Sequence, residues 1–260
     1  MKCLLAILVV LLLAPWQIAY ARSGDKTGED ADRIALVRPS TISGITRTKE
    51  SAHRDKFSDN FESNSSNELY FRLFVTPEDP IIEILAAQIS GPRDAYQMAA
   101  QWIYVSDEEL NHAADKWLTP HEFLANTPNY PSNPLQGEAV SDCEEKANAL
   151  VSLIRAEGVR PEEVRVALGK VKYDHLETGH AWVELFIDGR WLVLDPSWGP
   201  YWDDRSEKLV YRESVSFDYY AGHTYPVLQV WAYYNDIYYE APGDDSGNVP
   251  AYWRSYIGAK

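Results

Sequence analysis

The sequence feature that most constrains the fold is a two-residue turn, Asp188-Gly189, between two strand-like segments. An Asp-Gly pair flanked by apolar residues is a strong signal for a tight β-hairpin. If Ile187 pairs with Arg190, the pairing of every other residue on the two arms follows, because the turn sets the register of a hairpin. The chain is therefore expected to build an antiparallel sheet here, with residues of the two arms brought together in a fixed order.

This register predicts a histidine next to a carboxylate. It places His180 opposite Ser197 and Trp182 opposite Asp195. His180 and Asp195 then become diagonal neighbours on one face, about 7–8 Å apart at most, a gap that an imidazole and a carboxylate can bridge. The other face is apolar and gives the hairpin a core to pack against; it carries Ala181, Val183, Leu185, Ile187, Leu192 and Leu194.

A second segment supplies a cysteine at the start of a predicted helix. Ser141 to Glu144 reads S-x-x-E, the pattern of a helix-capping box, and an amphipathic run follows it as far as Gly158. Cys143 would lie in the first turn, where exposed N–H groups and the helix dipole favour a thiolate of low pKa. A cysteine with a histidine and an aspartate downstream supplies the nucleophile, base and orienting group of thiol catalysis. Cys143, His180 and Asp195 are therefore the predicted catalytic residues.

The same residues have less specific interpretations. From composition alone, a single cysteine is more often an inert core residue than a nucleophile. His175 competes with His180 as the base, but it lies in the connection before the strand, where nothing fixes its geometry. Glu184 shares the face of His180 further along the strand, and we interpret it as a solvated charge.

These segments resemble the transglutaminase-like superfamily, the papain-like group that includes transglutaminases, peptide N-glycanases and bacterial transglutaminase-like cysteine peptidases. DCEEKA, GHAWVEL and RWLVLDPSW match the motifs around the family's catalytic Cys, His and Asp. DKWLTPHEFL resembles the family segment in which a tryptophan N–H can serve the oxyanion hole, a role that falls on Trp117. The resemblance runs from about Phe71 to Tyr239. It departs from the family pattern at Ser141, which replaces the usual glycine, and at the insert NTPNYPSNPLQGEAV before Cys143.

The resemblance implies an α+β fold of the papain-like, transglutaminase-core type, with the catalytic Cys at a helix N-terminus packed on an antiparallel sheet that carries His and Asp. It implies that Cys143 attacks an amide carbonyl of a peptide or glutamine type and forms an acyl-enzyme. Water would resolve this intermediate in a hydrolase and an amine in an acyltransferase, and the sequence does not separate the two. Gln136 is a rival to Trp117 for the oxyanion hole. A non-catalytic protein- or glycan-binding module on the same fold is the alternative function.

The N-terminus is typical of a secretory signal peptide. Lys2 precedes an apolar run, too short for a membrane span, that ends at an Ala19-Tyr20-Ala21 cleavage pattern. The protein is therefore expected to be secreted, periplasmic or extracellular, with Cys143 as its remaining cysteine. One cysteine and histidines without ligand-like spacing predict no metal site, and no cofactor is expected. The net charge of −15 argues against nucleic acid and anionic membranes as partners. The expected partner is a protein or peptide substrate, and the oligomeric state stays open.

Composition divides the chain into a signal peptide at 1–21, a flexible polar linker at 22–67, a transglutaminase-like domain at 68–240 and a C-terminal extension at 241–260. Within the domain, LYFRLFV is predicted as a short strand, and three packing helices follow it. The insert is either a lid that faces the substrate or a solvent loop. The tyrosine-rich C-terminal part is either a platform for ligands or the covering of a sheet edge. GDDSGN lacks the spacing of a calcium loop, and we interpret it as a turn.

Overall fold

The computed structural model describes residues 65–173, 175–243 and 249–254 of the chain. The predicted signal peptide, the predicted linker as far as residue 64, and nearly all of GDDSGN lie outside these residues. Within them, no helix has both the length and the apolar character needed to cross a membrane.

The helices of the described part come mostly before the large sheet. In chain order they are α1 (Ser65–Arg72), α2 (Pro80–Ala86), α3 (Pro92–Ala99), α4 (Asp107–Asn111), α5 (Cys143–Ala156) and α6 (Tyr219–Gly222). Two of these helices begin at side-chain caps: Asp79 accepts the N–H of Ile81 ahead of α2, and Ser106 accepts the N–H of Glu109 in α4.

The strands form two sheets. They are β1 (Ile103–Tyr104), β2 (Val140–Ser141), β3 (Val164–Tyr173), β4 (Leu176–Ile187), β5 (Arg190–Leu194), β6 (Tyr201–Asp203), β7 (Lys208–Val210), β8 (Val227–Tyr234) and β9 (Tyr239–Glu240). The larger sheet has the order β5-β4-β3-β8-β9 and is antiparallel throughout. The smaller sheet, β2-β1-β6-β7, contains parallel pairs of β1 with β2 and β6.

The hairpin register predicted from the turn is confirmed. Ile187 pairs with Arg190, and Val183 pairs with Leu194 at the far end of the β4–β5 ladder. Asp188 and Gly189 have φ values of 52° and 77°, as a tight turn with two left-handed residues requires. Both faces of the hairpin are covered, because Trp182 and Val193 are buried as well as the predicted apolar face, except for Ile187 beside the turn, which is 41% exposed.

Helix α5 packs one side against the large sheet and forms the centre of the main core. Its residues Leu150, Val151, Leu153 and Ile154 are fully buried. The helix ends where the sequence predicts, at a left-handed Gly158 with φ 90°. The N–H groups of Gly158 and Val159 bond back to the last turn in a Schellman arrangement. The predicted α+β fold, with the cysteine helix on an antiparallel sheet, is therefore confirmed.

The predicted strand LYFRLFV is wrong, because this segment belongs to α1 and the turn after it. Phe71, Phe74 and Val75 are buried on one side, while Leu69 and Leu73 remain exposed. That spacing is one face of a helix rather than the alternation of a strand. In so short an apolar run, the tertiary packing of Phe71 and Phe74 decides between the two.

The insert before the cysteine helix is ordered by its own hydrogen bonds. It follows a turn of π-helix at Glu122–Asn126. The buried side chain of Asn133 donates to the carbonyls of Thr127, at 2.8 Å, and Glu138, at 2.9 Å. One amide group thus joins two parts of the insert, and the choice between a lid and a solvent loop stays a prediction.

The aromatic residues of the C-terminal part pack largely into the core. Arg165 of β3 lies fully buried between Trp191 and Tyr233, with its guanidinium carbon 3.8 and 3.6 Å from the two ring centres. Trp253 is also fully buried, and its main-chain carbonyl accepts a hydrogen bond from Arg165. Residues 249–254 therefore contribute to the core of the domain, and the aromatic side chains support the sheet.

Candidate active site

Cys143 is the first residue of α5, and Asp142 occupies the N-cap position. The predicted capping box is wrong, because Ser141 lies in β2 and its hydroxyl donates to Glu145, at 2.8 Å, rather than pairing with Glu144. Glu145 also accepts the N–H of Leu118, at 2.8 Å. This buried carboxylate fastens the start of α5 to the segment that carries Trp117.

The thiol of Cys143 lies between the histidine strand and a group of carboxylates. Its Sγ accepts the backbone N–H of Ala181, the residue after His180, and its S–H donates to Glu144 Oε2, at 3.1 Å. Burial, together with the negative charges of Glu144 and Asp142, raises the pKa of the thiol well above its usual value. The prediction of a low-pKa thiol is therefore wrong for this arrangement, since the helix N-terminus does not outweigh these effects.

His180 and Asp195 meet as predicted. His180 Nε2 lies 3.0 Å from Asp195 Oδ2, and the two side chains are 10% and 0% exposed. Burial tends to raise the pKa of Asp195, but the charge of His180 and the hydrogen bonds to the carboxylate outweigh it and lower the pKa to about 2. The carboxylate is thus ionised at neutral pH and orients the imidazole through Nε2. Among the described residues, Nδ1 of His180 has no hydrogen-bond partner.

Two tyrosines next to Asp195 are absent from the sequence-based prediction. Tyr225 Oη donates to Asp195 Oδ2, at 2.6 Å, and Tyr173 Oη lies 3.4 Å from the same oxygen. Tyr173 ends β3, and its ring also meets His180 edge to face, with centres 6.1 Å apart. Tyr225 lies in the connection before β8, so no local pattern in the sequence links it to Asp195.

The face of the histidine strand is supported by a buried polar chain. Trp182 stacks near the imidazole of His180, with centres 6.5 Å apart, and its indole N–H donates to Glu184. Glu184 is paired with Arg165 and is 0% exposed, so the interpretation of Glu184 as a solvated charge is wrong. Gly169 leaves the room for Trp182, because a Cβ there would lie 2.9 Å from the indole and 2.2 Å from a carbonyl of β8.

The two oxyanion-hole candidates differ in their contacts. The ring of Trp117 packs against Phe71 and Phe74, with centres 5.1 Å apart in each case, and its indole N–H makes no hydrogen bond in the described part of the chain. The side chain of Gln136 instead donates to the carbonyls of Tyr130 and Asn133 within the insert. The side-chain amide of Gln136 is thus bonded within the insert, and Trp117 remains the better candidate for the oxyanion hole.

The other histidines among the described residues have contacts elsewhere. His175 is exposed in the turn between β3 and β4. His112 ends α4 in a left-handed conformation, His121 contacts Asp79, and His223 contacts the carbonyl of Tyr219. None of them approaches the candidate site through a described hydrogen bond.

Two groups of side chains among the described residues have the chemistry to hold a metal ion: Asp142, Cys143 and Glu144 form one, and Asp107, Asp115 and Glu144 form the other. The ligand oxygens of Asp107, Asp115 and Glu144 all lie within 4.8 Å of one another. Oxygen ligands of this kind suit hard divalent cations. The sequence-based expectation that no metal is needed stays a prediction.

A cysteine at a helix N-terminus, beside a bonded histidine–aspartate pair on an antiparallel sheet, is the arrangement of a papain-like thiol protein. Residues 85–196 match the family model of the transglutaminase-like superfamily. The predicted resemblance is confirmed over those residues, which are similar to the core of this superfamily.

Solved structures are similar to the chain at low identity. LapG of Legionella pneumophila is 17% identical, and the match covers 66% of this chain and 91% of the LapG chain, with a TM-score of 0.39. Calcium-bound LapG of the same organism is 15% identical, with coverage of 70% and 97% and the same TM-score. A candidate cysteine protease from Cytophaga hutchinsonii is 13% identical, with coverage of 52% and 43% and a TM-score of 0.34. No curated protein matches the chain by sequence.

Proposed function

We propose that the chain is an exported transglutaminase-like thiol enzyme that acts on amide bonds of a protein or peptide through Cys143, His180 and Asp195. The observation that carries the proposal is the 3.0 Å bond between His180 and Asp195 next to the thiol, whose sulfur accepts the N–H of the residue after His180. Export is proposed from the signal-like N-terminus.

The raised pKa of the thiol sets the resting state. At neutral pH the site would hold the sulfur of Cys143 as a thiol rather than as a thiolate. Because Nε2 donates to ionised Asp195, Nδ1 is the nitrogen free to accept a proton. His180 would therefore act as a general base at the moment of attack, and not as a partner that keeps a thiolate ready.

The reaction follows from these roles. The sulfur of Cys143 bonds to the carbonyl carbon, its proton moves to Nδ1 of His180, and Asp195 stabilises the imidazolium. The C–N bond then breaks, and the proton passes from Nδ1 to the leaving amine, which leaves a thioester on the enzyme. Water or an amine resolves this thioester and regenerates the thiol. The backbone N–H of Cys143 and the indole N–H of Trp117 are the proposed donors to the oxyanion.

A mass-spectrometric experiment tests this function. The purified chain is incubated with a mixture of glutamine-containing peptides, methylamine and isotope-labelled water. We expect a thioester adduct on Cys143 that Cys143→Ala lacks. Label from water in new peptide termini indicates a hydrolase, and methylamide products indicate an acyltransferase. The absence of both adduct and products would contradict the proposal.

One observation favours the alternative function, a binding module without catalysis. The S–H of Cys143 is held by Glu144, at 3.1 Å, in a site that disfavours the thiolate. Iodoacetamide labelling separates the two functions. An enzyme should lose labelling rate at neutral pH when His180 is replaced by Ala, whereas an inert thiol should label slowly and equally in both proteins.

A further inference from the structure

The carboxylate of Asp195 accepts hydrogen bonds from other donors besides His180. The side chain is 0% exposed. Oδ2 accepts from Nε2 of His180, at 3.0 Å, and from the hydroxyl of Tyr225, at 2.6 Å, while Oδ1 accepts the N–H of Ser197, at 2.9 Å. A buried carboxylate without such donors would be protonated or excluded from the core.

The bond from Tyr225 is the shortest of these and is itself supported. Tyr173 Oη lies 3.0 Å from Tyr225 Oη and 3.4 Å from Oδ2, so the two hydroxyls and the carboxylate oxygen form a triangle. Tyr225 is 6% exposed, which leaves water little access to the bond. Since donors hold both carboxylate oxygens, rotation of the group would break bonds on each side.

We propose that Tyr225, assisted by Tyr173, is a positioning residue that holds the Asp195 carboxylate in the orientation in which Oδ2 accepts Nε2–H of His180. The inference deepens the proposed function and rests on it, because it adds Tyr225 to the residues on which the triad depends. Tyr225 acts through Asp195 and touches no reacting atom. Its effect should appear as the tautomer of His180, because the Nε2–H form is the one that leaves Nδ1 free to accept the thiol proton.

Other ionisable side chains face Asp195 from the elements packed around it, and none of them has a described hydrogen bond to the carboxylate. They are Tyr96 of α3, Lys146 of α5, Tyr220 of α6 and Arg212 after β7. Tyr220 offers a matched control, since its buried ring packs on Tyr225 with centres 5.9 Å apart.

The experiment measures the nitrogen resonances of the His180 imidazole in the full chain by NMR, at a pH where the ring is neutral. We expect the wild-type protein and Tyr220→Phe to hold the Nε2–H tautomer. In Tyr225→Phe the ratio of Nε2–H to Nδ1–H should fall about tenfold, because a hydrogen bond to a charged group contributes at least about 1.5 kcal/mol. Tyr173→Phe, which removes the weaker donor and the support of Tyr225, should give a smaller fall.

A tyrosine with only a packing role would lower the melting temperature and leave the tautomer ratio unchanged. That result in both Tyr225→Phe and Tyr173→Phe would overturn the proposal, as would an equal change in Tyr220→Phe. If Tyr225→Phe does not fold, Tyr173→Phe decides on the same criterion. The measurement needs no substrate. A tautomer change without any thioester on Cys143 would therefore overturn the proposed function alone, whereas thioester formation with an unchanged ratio would overturn the role of Tyr225 alone.

Discussion

Two buried carboxylates of the candidate site have pKa values shifted in opposite directions. Asp195 and Glu145 are both 0% exposed, and burial favours the protonated form of each. The pKa of Asp195 is nevertheless lowered to about 2, because the charge of His180 and the surrounding donors outweigh burial. The pKa of Glu145 is raised to about 7, because burial and the nearby charge of Asp107 outweigh its hydrogen bonds. Neighbours rather than burial therefore decide which carboxylate is ionised.

The comparison extends to the two halves of the proposed reaction. The orienting half consists of Asp195 and the groups that donate hydrogen bonds to it, namely His180, Tyr225 and the N–H of Ser197. These donors keep the carboxylate of Asp195 charged at neutral pH. The nucleophile half consists of Cys143 and the nearby carboxyl groups of Asp142, Glu144 and Glu145. The pKa values of Asp142, Glu144 and Cys143 are all raised above their usual values, with burial as the largest cause. The dipole of α5 contributes only about 0.3–1 kcal/mol at its N-terminus, which is too little to compensate. In the proposed reaction, His180 would therefore remove the thiol proton during attack.

Removing the charge of the orienting half should have the largest effect. In Asp195→Asn, an amide NH₂ would replace one oxygen where His180, Tyr225 and Ser197 now donate, and the wrong imidazole tautomer would be favoured. We expect thioester formation on Cys143 to slow by about 10⁴-fold. Circular dichroism should show a folded protein, with a melting temperature a few degrees lower. Thioester formation at a near-normal rate would remove Asp195 from the mechanism.

Neutralising Glu145 should flatten the pH dependence of stability in the nucleophile half. The folded pKa of Glu145 is about 7, above the usual 4.5. Between these values the folded state binds the proton that the unfolded state has lost, so stability falls as pH rises from 4.5 to 7. This loss amounts to about 3 kcal/mol and should be largely absent in Glu145→Gln, as measured by urea unfolding at several pH values. The neighbouring carboxylates should preserve a smaller slope.

The orienting half provides the internal control for this measurement. The folded pKa of Asp195 is depressed to about 2, below the usual 3.8, so its contribution to stability is present above the usual value and is lost as pH falls through the folded one. The loss of folding stability below pH 4 should therefore persist in Glu145→Gln. An unchanged slope between pH 4.5 and 7 would show that Glu145 is ionised in the folded protein.

Glu144 gives a smaller test, on the thiol itself. Glu144→Gln removes the carboxyl group that accepts the S–H of Cys143 and contributes to the raised pKa of the thiol. We expect the thiol pKa to fall and iodoacetamide labelling at pH 7 to become about tenfold faster, the change that one pKa unit gives. The exposed Glu138 supplies the matched control, since Glu138→Gln should leave the rate unchanged. Labelling is measured in the presence of a chelator, so that no bound cation masks the carboxylates.

The sequence could predict those parts of the site that local rules determine. The turn at Asp188-Gly189 sets the β4–β5 register and so brings His180 to Asp195, and Gly158 sets the end of α5. The electrostatics of Cys143 could not be predicted in the same way, because a capping pattern does not reveal which way a carboxylate turns. The S-x-x-E pattern predicts that Ser141 caps the helix, but its hydroxyl bonds Glu145, which also accepts the N–H of Leu118 from a distant segment.

The same limit applies to Tyr225 and to the first segment of the domain. The contact of Tyr225 with Asp195 depends on how the connection before β8 folds over the sheet, and no spacing in the sequence encodes it. The run LYFRLFV is short and apolar, so its sequence fits either a strand or a helix. The packing of Phe71 and Phe74 against Trp117 favours the helix. Long-range packing therefore decides the features that local rules leave open.

The smallest expected effect comes from Ser141, and it tests whether the nucleophile half is organised by capping or by a buried carboxylate. Ser141→Ala removes the hydroxyl that donates to Glu145, at 2.8 Å. The loss should be about 1 kcal/mol at pH 5, where Glu145 is neutral, and about 2 kcal/mol at pH 8, where it is ionised, because hydrogen bonds to charged groups are stronger. Ser106→Ala is the comparison variant. It removes a helix cap on the N–H of Glu109 and a hydrogen bond to the exposed carboxylate of Asp204, and should cost about 1 kcal/mol at both pH values. Urea unfolding of both variants decides: an equal, pH-independent loss would mean that Ser141 acts as an ordinary cap and that the carboxylate of Glu145 does not change its charge.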